Sequence, residues 1–179
     1  MPRRPVVGLG WLEGACSGPG MIMRLFYYAM LIAFTILWEA PHQPKEGQEL
    51  VAHTIVNRAE ISGMNIEAVI MQRGQYAGWT PQRRMGWLRC AIEGELPWCL
   101  DPVGHLELIR TKDGWRKATA ADWWRIWWMS FSVLMGKPEP EGYEGVTHFD
   151  NPIFWDGGDP PWAKEKETLG KVGDHVFYR

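Results

Sequence analysis

Residues 25–37, LFYYAMLIAFTIL, are apolar almost without interruption. A helix that is apolar all round is a buried helix. The run passes into Trp38 and Glu39 and then meets Pro41, which cannot comfortably continue a helix, so a first helix is predicted over 23–39. A second helix is predicted over 44–61, where Leu50, Val51, Thr54, Ile55 and Arg58 recur at helical spacing. Pro44 suits its first turn and Gly63 its C-terminal cap. A short helix follows over 66–71, residues 72–82 read as a loop, and a further helix is predicted over 81–93. LELIRTKDGWRKAT reads as a hairpin turning at Asp113–Gly114. A strong helix is predicted over 120–135, with Thr119 as N-cap, Asp122 as its capping-box partner, and Gly136 and Pro138 to end it. Pro and Gly are frequent beyond Glu139, and the final HVFYR alternates like a strand.

Arg3 and Arg4 before an apolar run suggest a signal peptide or anchor. The run is shorter than the roughly 20 apolar residues of a membrane span, and no small-residue cleavage site precedes Trp38. The preferred reading is a buried core helix, with a membrane-tethered segment as the alternative. Residues 1–20 read as a poorly ordered leader and 21–179 as one domain.

The 179 residues suffice for one compact core. A net charge of -2 lacks the basic field that nucleic-acid binding would require. No Cys/His ligand spacing suggests a metal site, and no cofactor is expected. Cys90 and Cys99 are near enough in sequence to bridge, but the odd count, with Cys16, favours reduced thiols. The twelve tryptophans are the anomaly, because indole faces stack well on sugar rings. Trp79, Trp87 and Trp98 are candidates for such platforms. Trp123, Trp124, Trp127 and Trp128 form a helical stripe that reads as core.

Five segments stand in one order: TILWEA, KEGQELVAHTIVNR, GQYAGW, HFDNP and VGDHVFYR. Together they resemble the cell-wall hydrolase family of the spore cortex-lytic enzymes and related phage lysins, over residues 33–179. The resemblance implies an α+β, mainly helical, lysozyme-like single domain with a small sheet or hairpin. It implies cleavage of the β-1,4 bond between N-acetylmuramic acid and N-acetylglucosamine, by a muramidase or a lytic transglycosylase. The family's catalytic glutamate falls on Glu39, its Gln-Phe motif on Gln75-Tyr76, its Tyr-Asn-Pro motif on Asp150-Asn151-Pro152, and its terminal motif on Gly173, His175, Phe177 and Tyr178. Two departures bear on the groove: Trp38 replaces the glycine before the glutamate, and Pro41-His42-Gln43 replaces the usual Arg-Gly-Glu.

Glycosidic cleavage requires a proton for the leaving oxygen, hence a carboxyl group whose pKa is raised. Glu39 follows a very apolar segment and sits at a helix C-terminus, and both burial and the helix dipole push in that direction. Most glycosidases use two carboxylates. Glu46 and Glu49 read as a solvated face and cap of the second helix, and Asp150 and Asp156 are the remaining candidates. A lone acid suits a transglycosylase, where Glu39 acts as acid and then as base toward the C6 hydroxyl, leaving a 1,6-anhydromuramyl end. Gln75 and Asn151 are candidates to bond the N-acetyl groups, and Tyr76 and Tyr178 to line the groove. His175 is a candidate to pair with Glu39 or another acid. Asn57 and Arg58 read as ties from the second helix to a loop.

The expected partner is the peptidoglycan glycan strand, with no nucleic acid, a membrane not favoured, and other virion proteins as further candidates. The expected site of action is the bacterial cell wall, for an endolysin or virion-borne lysin made in the host cytoplasm. The competing reading is a phage structural or binding protein that kept the fold and lost the activity.

Overall fold

The computed structural model describes residues 19–72, 76, 108–111, 114–117, 119–152 and 160–179. Three helices come first: α1 (Pro19–Glu39), α2 (Lys45–Ser62) and α3 (Ile66–Met71). A strand pair, β1 (Leu108–Thr111) and β2 (Gly114–Lys117), precedes α4 (Ala120–Leu134). Then come β3 (His148–Asp150), a short 3-10 helix (Pro161–Glu165), β4 (Thr168–Val172) and β5 (His175–Tyr178). The fold is α+β and mainly helical, with an antiparallel three-stranded sheet in the order β3-β5-β4.

The long apolar run forms the core. Ala29, Leu31, Ile32, Ala33 and Ile36 of α1 are wholly buried. The segment Ile22–Glu39 is long and apolar enough to cross a membrane, yet 56% of it lies inside the fold. α1 begins at Pro19, four residues before the predicted start, and packs mainly on α4, with α2 and α3 on its other flanks.

α2 runs through the centre. Of the predicted stripe Leu50, Val51, Thr54 and Ile55 are buried and Arg58 is half-buried; Gln48, Ala52, His53 and Val56 are buried besides. Gly63 ends it in the left-handed region at φ 68°, as the sequence predicts. Pro44 does not occupy the first turn. Its carbonyl accepts the first helical hydrogen bond, from Gln48 N at 3.0 Å, while its own ψ of 161° is extended, so it is the N-cap residue. α4 opens on the predicted capping box: Asp122 N donates to Thr119 Oγ1 and Thr119 N to Asp122 Oδ2. Only half of its tryptophan stripe is core. Trp123 and Trp127 are buried, whereas Trp124 and Trp128 are more than half exposed, because the apolar arc of α4 is wider than the surface that α1 and α2 cover.

β1 pairs with β2 until Thr111 meets Gly114, so Gly114 is a strand residue and not part of the turn that the sequence placed there. In the second sheet His148 faces Tyr178, and Phe149 faces Phe177. β4 and β5 close with Val172 opposite His175, leaving Gly173–Asp174 as a two-residue turn. The predicted helix over 81–93, and Cys16, Cys90 and Cys99, lie outside the described residues.

Candidate active site

Glu39 is the last residue of α1, half-buried, where the core helix reaches the surface. Its position is fixed from both sides. Phe34 stacks on Trp38 with ring centroids 5.3 Å apart. The carbonyl of Ala40 accepts a hydrogen bond from Gln48 Nε2 at 3.1 Å, and Gln48 Oε1 accepts one from Arg125 Nη2 at 2.9 Å. A buried glutamine on α2, braced by α4, therefore satisfies an otherwise orphaned carbonyl beside the acid.

The stretch that departs from the resembling family, Pro41-His42-Gln43, has a structural task here. Gln43 Oε1 accepts the backbone N–H of Asp174, at 2.9 Å, from the β4–β5 turn. His42 Nε2 lies 3.6 Å from Asp174 Oδ2. Gly173 takes φ 61° against Gln43 and Pro44. The last hairpin is thus hooked onto the segment that leaves Glu39.

Tyr76 is buried beneath this region. Burial raises the pKa of its phenol; the Arg58 guanidinium opposes that rise and the Glu39 carboxylate adds to it. The phenol therefore lies in the fields of both groups. Arg58 stands 6.0 Å from the Tyr76 ring centroid and donates to Gln72 Oε1 at 3.2 Å. It comes close to the phenol oxygen, but Tyr76 Oη makes no well-aligned hydrogen bond.

From Tyr76 a line of rings leads into the sheet. Phe149 is 6.3 Å from Tyr76, 5.0 Å from His175 and 6.0 Å from Phe177. His42 meets His175 edge-on at 6.1 Å. Glu39, Tyr76 and His175 are thus brought to one side of the molecule. His175 is almost wholly buried, with Phe149, Phe177 and His42 as its ring neighbours. Its pKa is pushed down to about 4 by burial and by His42, with Asp174 opposing. His148 is likewise pushed down to about 4 by burial, Lys166 and Arg58. Both imidazoles are therefore neutral at pH 7.

Tyr178 stands apart from this line. It is fully buried and meets Trp162 edge-on at 5.4 Å; Trp162 in turn lies over His148 at 5.2 Å. Asn151 follows β3 and is half-buried. Gln75, Asp156, Trp79, Trp87 and Trp98 lie outside the described residues. Of the other acids, Glu46 is exposed, and Glu49 is ion-paired with Lys137 at 2.6 Å. Asn57 is a tie, as its sequence position suggested: its Nδ2 donates to Glu139 Oε1 and to Val146 O. Arg58 does more than tie a loop. Phe149 and Gln43 had no chemical signal in the sequence, since an aromatic in a short strand and a glutamine in a turn are unremarkable alone.

The neutral histidines make stability depend on pH. An imidazole that titrates near 4 when folded and near 6.5 when unfolded binds its proton more readily in the unfolded chain. Stability is therefore full above pH 6.5 and falls as the pH drops toward 4. His175 alone contributes up to about 3 kcal/mol of that loss. Denaturant melts from pH 7 to pH 4 should show it, and His175→Gln should flatten the slope. A pH-independent midpoint would contradict the assignment.

These features define the class: a mainly helical α+β fold with a small antiparallel sheet, whose core helix ends on the half-buried Glu39. The fold is similar to that of the catalytic domain of the Bacillus cereus SleB protein, with a TM-score of 0.50 over 85% of this chain and 89% of that one, at 16% identity. No protein-family model matches the sequence, and no curated protein matches it.

Proposed function

We propose that this chain cleaves the β-1,4 bond between N-acetylmuramic acid and N-acetylglucosamine in peptidoglycan, with Glu39 as the proton donor. The observation that carries the reading is the placement of Glu39. It is a half-buried carboxyl at the C-terminus of the core helix, electrostatically coupled to buried Tyr76 and close to where the sheet is hooked on. Support comes from the five ordered motifs that resemble the cell-wall hydrolases and from a fold similar to that of the SleB catalytic domain.

In the mechanism Glu39 protonates the glycosidic oxygen as the oxocarbenium-like centre develops. The Glu39 carboxylate then takes a proton from the attacking hydroxyl. If the attacker is the C6 hydroxyl of the same sugar, the product is a 1,6-anhydro end; if it is water, a reducing end. With Glu39 as the one acid that the motifs assign, the first is favoured, the lytic transglycosylase. Asn151 and Gln75 are assigned to the N-acetyl groups, as hydrogen-bonding amides that hold the sugar for attack. Tyr76 and Tyr178 are assigned to the lining of the groove, and His175 to pairing with an acid. The enzyme acts at the bacterial cell wall, as a phage endolysin or a virion-associated lysin.

The test is digestion of purified peptidoglycan followed by mass spectrometry of the released muropeptides. Anhydromuramyl ends are expected; reducing ends would replace the transglycosylase with a muramidase, and the absence of any glycan-strand cleavage would refute the reading.

Tyr76 gives a further check. Its hydroxyl is buried close to Arg58 with no well-aligned hydrogen bond, so Tyr76→Phe should leave stability within about 1 kcal/mol of wild type. A denaturant midpoint lower by more than about 2 kcal/mol would show that the hydroxyl is bonded after all.

A further inference from the structure

Trp162 is exposed, as Trp124 and Trp128 of α4 are, but it stands apart from them, in the 3-10 helix before β4. Its indole is 39% exposed and is held on two sides. The buried Tyr178 meets it edge-on, at 5.4 Å and 76°, and the His148 ring lies 5.2 Å away, tilted by 37°. His148 is itself anchored, Nδ1 to Thr147 Oγ1 at 2.8 Å. The turn that carries the indole is closed by two backbone hydrogen bonds of 2.9 Å, Ala163 N to Pro160 O and Lys166 N to Ala163 O. A flat apolar face is thus preorganised at the surface, beside an imidazole on which the Lys166 ammonium acts.

The platform adjoins the candidate site through β3. His148 is the register partner of Tyr178, so both project from one face of the sheet. Phe149, the next residue, projects from the other face, where it meets Tyr76 and His175. β3 is an edge strand, so consecutive residues of one edge link the indole to the Tyr76 side. Arg58 borders both: it stands 6.0 Å from the Tyr76 ring, and its charge also acts on His148.

The size and rim of this patch select its occupant. A partner helix or an acyl layer needs a contiguous apolar surface. Here the indole is followed by exposed Lys164 and Glu165 and half-buried Lys166. A pyranose ring needs less: one apolar C–H face for the indole and hydroxyls at its edge for polar groups. With Nδ1 of His148 engaged by Thr147, Nε2 is the ring atom left to bond such a hydroxyl. We infer that Trp162 is a stacking platform for a pyranose ring of the glycan strand, with His148 bonding a hydroxyl at the ring's edge. The identity of the strand rests on the cleavage reading.

The test is calorimetric titration of the full chain with the β-1,4-linked tetramer of N-acetylglucosamine, alongside KM and kcat for soluble peptidoglycan strands. The tetramer shares the strand's ring type and linkage but lacks N-acetylmuramic acid, so the proposed reaction does not consume it. Trp162→Leu keeps an apolar cover over Tyr178 but has no flat face, whereas Trp162→Phe keeps the face. The leucine variant should bind the tetramer about five- to ten-fold more weakly and raise KM by the same factor, with kcat nearly unchanged. The phenylalanine variant should bind within about three-fold of wild type. His148→Ala leaves the indole in place and should weaken binding about three-fold, which keeps the test open if the leucine variant does not fold. A wild type that does not bind the tetramer overturns the inference. So does unaltered binding by the folded leucine variant, or by His148→Ala where that variant does not fold. Strand cleavage that persists in those cases leaves the cleavage reading standing. A wild type that binds the tetramer through Trp162 but cuts no strand overturns the cleavage reading and keeps the platform.

Discussion

Glu39→Gln should leave a peptidoglycan suspension turbid, with the clearing rate lowered by about 10²- to 10⁴-fold. Glutamine keeps the shape of the side chain and its hydrogen-bonding capacity but has no proton to give a leaving alkoxide. The half-buried position at the end of α1 tolerates the exchange sterically, so the variant should melt like wild type. Glu46→Gln is the matched control, since Glu46 is exposed in the first turn of α2; it should clear at the wild-type rate. Clearing by Glu39→Gln within a few-fold of wild type would remove Glu39 from the chemistry, whatever the fold resembles.

Gly173→Ala should cost about 3 kcal/mol of stability and depress activity with it. Two effects coincide there. The residue takes φ 61°, where a side chain is strained. An added Cβ would also collide with Gln43 Oε1 and come within 2.7 Å of Pro44 Cδ, the two residues that hold the exit from Glu39. Gly63→Ala separates the two effects. Gly63 takes φ 68° with nothing within 4 Å of an added Cβ, so it bears the backbone cost alone, about 1 kcal/mol. Urea unfolding of the two variants measures the difference. Equal losses would mean that the packing of the hairpin on Gln43 and Pro44 contributes little.

The helices were legible because their signals are local. The unbroken apolar run, Gly63 after α2, and Thr119 three residues before Asp122 each fix an element by chemistry within a turn or two of chain. Pro44 was misplaced by one position because a proline suits both the cap and the first turn, and only the carbonyl's partner decides. The tryptophan stripe was half misread because periodicity shows which face is apolar but not how much of it a neighbour covers. The end of the core helix was legible at Glu39, where the apolar run gives way to Pro41. Within the candidate site Gln43 and Phe149 were illegible, because their roles depend on contacts across more than a hundred residues of chain and between strands. Arg58 was visible as a polar position on a buried helix; its nearness to Tyr76 needed the fold.

The hook between Gln43 and Asp174 has a bearing on when the proposed site is complete. α1 leaves the ribosome well over a hundred residues before the hairpin that steadies its end. A nascent chain can coil its oily helix and expose a glutamate long before that glutamate has a fixed bearing. The proposed site would thus be complete only late in synthesis, once residues 168–178 have formed the closing hairpin.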